Sequence, residues 1–162
     1  TAVFPGARDL MGIDIDAPAI EKGRRYLAGE RSSVRLVAGD MEDLDALVGP
    51  RRFDVSLAAG VLSYLNQADA TQMIARMLER TDTVLALAGL ACVDQDNASL
   101  PRSLASMTHP GQWIHNFDAI VKTCGGRVVR NRWEGARQYN YQTIFFTFAT
   151  PLSAGGRTRV SM

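Results

Sequence analysis

The stretch of this chain best equipped for chemistry is Met11-Gly12-Ile13-Asp14-Ile15-Asp16-Ala17-Pro18. A short apolar run ends there in an acid and turns at once into a helix start. In a doubly wound fold, an Asp so placed accepts hydrogen bonds from both hydroxyls of a nucleoside's ribose. A glycine-rich turn ordinarily lies about 20 residues upstream of that acid. Only thirteen residues precede Asp14 here, and they hold no such turn. His115, in Trp113-Ile114-His115-Asn116, is the other chemically suggestive group. A neutral imidazole is able to take a proton from a hydroxyl or an amine. A histidine next to a helix start also serves simply as a backbone partner, and both readings stand. His109, ahead of Pro110, reads as a solvated loop residue. Tyr64 reads as a pocket wall or a packing residue, and Trp113, Phe117 and Trp133 as an aromatic wall or ordinary core.

These residues need a scaffold, and the sequence spells one out. Leu10 to Ile15 is apolar without clean alternation, as in a strand buried on both faces of a parallel sheet. Asp16 caps the helix that follows, with Pro18 in its first turn, where a missing N–H does no harm. That helix runs to Ala28 and stops at Gly29. Val34 to Ala38 is the next strand, closed by Gly39-Asp40. Met41 to Val48 is a short amphipathic helix broken by Gly49-Pro50. Phe53 to Ala58 is a third strand. Gln67 to Arg80 places Ala70, Met73, Ile74, Met77 and Leu78 at the helical period. Thr83 to Ala88 is a fourth strand.

From Ala91 to Gly111 the pattern loosens into a polar excursion with one helical turn. Phe117 to Thr123 is a helix stopped by Gly125-Gly126. Arg127 to Trp133 and Thr143 to Thr150 are two late strands. The loop around Gly135 to Tyr141 is too short for a crossover helix, so they pair antiparallel. Ser153 to Met162 is a flexible tail rich in Gly, Ser and Arg. Alternating strands and helices with a closing hairpin define an α/β fold with a mostly parallel sheet.

Composition narrows the function. With 162 residues, 46% hydrophobic and 22% charged, the chain suits one soluble domain. A formal charge of +1 leaves no basic excess for a nucleic-acid backbone. The pairs Arg24-Arg25 and Arg51-Arg52 read as solvated faces. No apolar run reaches the roughly 18 residues of a membrane span, and no signal peptide is visible. Cys92 and Cys124 lack metal-type spacing, which favours reduced thiols and a cytoplasmic location. The chain starts at Thr1 rather than at Met, and a longer parent sequence is expected.

The order and punctuation of these segments resemble the class I S-adenosylmethionine-dependent methyltransferases, a seven-stranded Rossmann-like family. Four pieces carry the resemblance. Pro5-Gly6-Ala7-Arg8 leading into Gly12-Ile13-Asp14-Ile15-Asp16 looks like the family's second strand. Val34 to Leu44, with Gly39-Asp40-Met41, looks like its third. Phe53-Asp54-Val55-Ser56-Leu57-Ala58-Ala59-Gly60-Val61-Leu62-Ser63-Tyr64-Leu65 looks like its fourth strand and the loop after it. Arg127 to Thr150 looks like its reversed closing strand. The first strand, which lies at the centre of the family's sheet, and its glycine-rich loop have no counterpart. The resemblance therefore implies an α/β Rossmann-like sheet, helices on both faces, an antiparallel C-terminal strand and a gap with unpaired strand edges on either side.

The same resemblance implies one N-terminally truncated methyltransferase-like domain over residues 1–150, with residues 151–162 as the tail. It assigns S-adenosylmethionine as cofactor, held by Asp14 at the ribose, with Ile15 as a further cofactor contact, by Asp40 and Met41 at the adenine, and by Ala58 near the methionine part. His115 becomes the candidate base for a small-molecule oxygen, nitrogen or carbon acceptor. No Asn/Asp-Pro-Pro-aromatic sequence of the kind carried by the family's DNA and amide-nitrogen methylators is present. The expected partners are a small molecule and, as an allowed assembly, a homodimer, with no nucleic acid and no membrane. The truncated chain alone is expected to be inactive. Two rivals remain: a non-catalytic scaffold serving as a partner-binding subunit, and a nicotinamide dehydrogenase, which predicts an all-parallel sheet.

Overall fold

The structure is a computed structural model, and it describes residues 9–30, 34–133 and 144–152. The Pro5 to Arg8 lead, the Gly135 to Tyr141 loop and the Ser153 to Met162 tail lie outside the described residues. Two compact units make up the chain, Thr1–Arg51 and Arg52–Met162.

In the first unit, β1 (Met11–Asp14) runs parallel to β2 (Arg35–Ala38), with Met11 opposite Arg35 and Asp14 opposite Ala38. The connecting helix α1 (Ala17–Gly29) starts where the sequence indicates: the Asp16 side chain accepts from Ala19 N–H at 2.9 Å, and Pro18 sits in the first turn. Such a cap is worth about 1 kcal/mol. Gly23 lets α1 lie close on the strand, because a Cβ there would come within 2.7 Å of Leu36 Cδ1. Arg24 fixes the same contact by donating Nε and Nη2 to the Leu36 carbonyl at 3.0 and 2.8 Å. The segment after β2 is a 3₁₀ turn, Met41–Asp43, leading into the short α2 (Leu44–Val48). β1 is half-buried, not enclosed on both faces as its apolar run suggests, because β2 is its only strand neighbour among the described residues.

The second unit holds a four-stranded sheet in the order β3 (Phe53–Ala59), β4 (Thr81–Leu90), β8 (Ile144–Pro151) and β7 (Gly126–Trp133). β3 and β4 are parallel, while β8 is antiparallel to both β4 and β7, so only β8 is reversed. This is the expected α/β fold with an antiparallel C-terminal strand, and it counts against the dehydrogenase reading. β4 is longer than its sequence segment suggests because pairing with β8 carries it on to Leu90 opposite Ile144.

Two helices cover one face of this sheet. In α3 (Gln67–Glu79), Ala70, Met73, Ile74 and Leu78 are buried; in α4 (Phe117–Thr123), Phe117, Ile120 and Val121. They meet Ala58, Leu85, Leu87, Phe145 and Ala149 in the core. Each large apolar side chain buried this way contributes about 1.5–3 kcal/mol. The Asp118 carboxylate is buried with it, accepting from Asn131 Nδ2 at 2.6 Å and Thr147 Oγ1 at 2.7 Å, which ties α4 to β7 and β8. On the opposite face, Val55 and Leu57 of β3 stand exposed.

The polar excursion after β4 contains more order than its composition suggests. A 3₁₀ turn at Asn97–Ser99 supplies the expected helical turn, and a small antiparallel pair follows, β5 (Leu104–Ala105) with β6 (Trp113–Ile114). Two-residue strands have no periodicity to detect, which is why the sequence reads as loop. Among the described residues, β1 pairs only with β2, and β3 only with β4.

Candidate functional site

Asp14 ends β1 and Asp40 follows β2, so the two acids stand at the same, carboxyl end of a parallel pair. The Gly39 N–H donates to the Asp14 carbonyl at 2.9 Å, extending the ladder to that end. Asp14 Oδ1 accepts from Asp16 N–H at 2.9 Å, and Asp40 Oδ1 accepts from Glu42 N–H at 2.9 Å, capping the 3₁₀ turn. Each acid thus spends one oxygen fixing its own loop and leaves Oδ2 without a hydrogen-bond partner among the described residues. Asp14 is exposed and Asp40 half-buried. An open, oriented carboxylate at a strand end is suited to accept from a vicinal diol. Ile15 beside it is 71% exposed, an apolar side chain turned largely to solvent. Met41, half-buried in the turn after Asp40, completes the set in this unit.

In the second unit the comparable place is the carboxyl end of β3. Ala58 is buried, its methyl in the core under the helices, so a ligand at this strand end meets backbone at that position. Gly60 then adopts φ 78°, a left-handed conformation that suits glycine. Its N–H still bonds to the Ala88 carbonyl at 2.8 Å. The chain next makes one 3₁₀ turn, Val61–Tyr64. Leu62 and Ser63 face inward, while Val61 and Tyr64 are exposed. Tyr64 is therefore a surface residue, not a packing one.

His115 lies just before α4 and is 1% exposed. Nε2 is 3.0 Å from the Leu62 carbonyl oxygen and Nδ1 is 2.7 Å from Ser103 Oγ. A carbonyl only accepts, so Nε2 carries the hydrogen and Nδ1 accepts from the serine hydroxyl. Burial pushes the His115 pKa below 6.5, against a smaller opposing pull from the Leu62 and Leu65 backbone. The imidazole is neutral and fully hydrogen-bonded. To work as a base it would have to exchange the Ser103 hydroxyl for that of an acceptor.

The aromatic residues differ in burial. Phe117 is core, its ring 5.5 Å from that of His115. Trp133 is half-buried and donates Nε1–H to the Cys92 carbonyl at 3.0 Å. Trp113 is half-buried on β6. His109 meets Thr108 Oγ1 at 3.0 Å in its loop. Both cysteines are free thiols. No helix among the described residues is long and apolar enough to cross a membrane.

Sequence reasoning missed three groups that organise this region. Asn97 donates Nδ2 to the Leu90 and His115 carbonyls, both at 2.9 Å, and accepts from Cys92 N–H at 2.7 Å. Asn116 caps α4 through Ala119 N–H and donates to the Ala98 and Leu100 carbonyls. Ser103 is the third. A buried asparagine has no local signature distinguishing it from a turn residue, although the Asn116 cap position was open to reading.

Parallel strands joined by helices, together with a single reversed strand, are the pattern of a Rossmann-like α/β fold. The comparisons define the class further. Residues 2–83, half of the chain, match the model of the methyltransferase domain family, and the chain belongs to that family. No curated protein matches it. Among solved structures, it is similar to magnesium protoporphyrin IX methyltransferase from Synechocystis with bound S-adenosylhomocysteine, with 14% identity and a TM-score of 0.66, over 91% of this chain and 66% of that one. It is similar to 1,6-didemethyltoxoflavin-N1-methyltransferase of Burkholderia thailandensis, with 17% identity and a TM-score of 0.65, over 86% and 59%. A S-adenosylmethionine-dependent methyltransferase from Clostridium acetobutylicum gives 8% identity and a TM-score of 0.65, over 91% and 76%. The chain spans less than two thirds of the first two of these proteins. At such identities the likeness is one of fold, the Rossmann-like methyltransferase fold.

Proposed function

We propose that this domain belongs to an enzyme that moves the methyl group of S-adenosylmethionine to a small-molecule oxygen, nitrogen or carbon. The observation that carries the reading is the open Oδ2 of Asp14, exposed at the carboxyl end of β1 beside Asp40. In this reading Asp14 accepts from the ribose hydroxyls and Ile15 covers the sugar's apolar side. Asp40 accepts from the adenine amino group and Met41 lies on the ring face. The three solved relatives described above are methyltransferases, and two of them, the porphyrin and toxoflavin enzymes, were crystallised with the demethylated cofactor. The porphyrin and toxoflavin enzymes are named for small-molecule acceptors, which supports the same class here.

The cofactor, when bound, supplies a sulfonium-activated, electrophilic methyl group. The protein's own residues then have to orient the donor and acceptor and exclude water. A base is optional. His115 would serve as one only with its Nδ1 released from Ser103. Calorimetric titration with S-adenosylhomocysteine tests the reading: measurable binding that Asp14→Ala weakens supports it. Absence of binding by the full-length protein would favour the non-catalytic scaffold instead.

A further inference from the structure

The turn Val61–Tyr64 is held by a circuit of side chains centred on His115, and that circuit stands whether or not the imidazole ever acts as a base. At its centre the Leu62 carbonyl accepts from His115 Nε2 at 3.0 Å, across 53 positions of sequence. Just past it, at the start of α3, Gln67 Oε1 accepts from Ser103 N–H at 2.7 Å. The 2.7 Å bond between Ser103 Oγ and His115 Nδ1 joins these two clamps into one. His115 is itself fixed from behind: its carbonyl accepts from Asn97, which also grips Leu90 at the end of β4. Its ring packs near Phe117. The segment from Leu62 to Gln67 is thus bracketed at both ends by a neutral imidazole and the serine it holds.

The turn has a sharply divided surface. Leu62 is 0% and Ser63 2% exposed, whereas Val61 is 37% and Tyr64 65% exposed. Turning the segment by one residue would bring Tyr64 inward and strand the Leu62 carbonyl, a buried group whose lost bond is costly. We propose that His115 is a positioning residue: through the Leu62 carbonyl and Ser103 it sets the turn so that Val61 and Tyr64 are presented outward at the carboxyl end of β3. That end faces the methyl acceptor only if the methyltransferase reading holds; the positioning itself is independent of it.

The test compares amide hydrogen exchange in the 162-residue chain and in His115→Leu, His115→Gln and Ser103→Ala, read by mass spectrometry at low micromolar concentration. Gln keeps an N–H donor in reach of Leu62, whereas Leu keeps bulk alone. The expected result is exchange about tenfold or more faster over residues 60–67 in His115→Leu, with β8 unchanged. His115→Gln should return most of that protection, and Ser103→Ala should show a smaller loss at Gln67 and beyond. A long-range nitrogen–proton spectrum of the two histidines should show one ring protonated at Nε2 alone. Unchanged exchange over 60–67, an equal rise in β8, or no rescue by Gln would overturn the proposal. Titration with S-adenosylhomocysteine is scored separately, so a failure of the cofactor reading leaves this result standing.

Discussion

Asp14 and Asp40 hold their carboxylates in the same way: each accepts at Oδ1 from the backbone N–H two residues onward, at 2.9 Å, and leaves Oδ2 without a partner among the described residues. The repetition follows from the strands. β1 and β2 are parallel and end level, so the chain leaves both at one end and must turn there twice. An Asp supplies the acceptor that such a turn needs and still presents a charge.

The first prediction separates those two duties. Asp14→Ala should weaken S-adenosylhomocysteine binding by about 1–3 kcal/mol, since it removes a charged hydrogen-bond acceptor. Asp14→Asn keeps the bond to Asp16 N–H and loses only the charge, so it should fall between. Calorimetry on the full-length protein gives the order, and three equal affinities would remove Asp14 from the cofactor site.

A second prediction concerns acid stability. His115 has its pKa lowered by burial, whereas in the unfolded chain it titrates near 6.5. Above that value both states are neutral and the group costs nothing. As pH falls through it, the unfolded chain takes up a proton that the folded one refuses, so stability drops until the folded pKa is reached. Urea midpoints measured from pH 7.5 to 5.5 should therefore fall more steeply in the parent than in His115→Gln. Parallel slopes would mean that the imidazole titrates normally.

Packing around α4 gives a third. A Cβ on Gly89 would lie 2.9 Å from two atoms of the Phe117 ring. Gly89→Ala should therefore destabilise by about 1–3 kcal/mol through overpacking, and Phe117→Ala by about 3–5 kcal/mol through the cavity left. Combined, they should cost less than their sum, because the added methyl fills part of the space vacated. Strict additivity in denaturant titrations would show that the two do not share that space.

What the sequence discloses and what it hides divide by range. The β1–α1–β2 unit is legible because its signals are local: Asp16 and Pro18 at a helix start, apolar runs on either side, acids at both strand ends. The α3 stripe is equally plain. The region around His115 is not, since its partners lie far off in sequence: Leu62 53 positions away, Asn97 18 and Ser103 12. No period or cap connects them. Nor does the apolar run Phe53 to Ala58 reveal that Val55 and Leu57 stand in the open, because a strand's exposure depends on its neighbours.

That exposure carries the last prediction. β3 pairs only with β4 among the described residues, and Val55 and Leu57 are 58% and 66% exposed on one of its faces. An apolar strand with an unpaired edge is a template for another strand, in this chain or in a second copy. The 162-residue chain should therefore self-associate as its concentration rises. Leu57→Lys places a charge on the exposed face without touching Ala58 or the helices beneath the other one. It should shift the onset of association upward by about tenfold, seen in sedimentation velocity or light scattering, and leave the thermal unfolding midpoint nearly unchanged. Charges on edge strands act in this way in natural sheets. If Leu57→Lys associates as readily as the parent, the contact forms elsewhere, and β1, which pairs only with β2 among the described residues, becomes the surface to examine with Ile13→Lys.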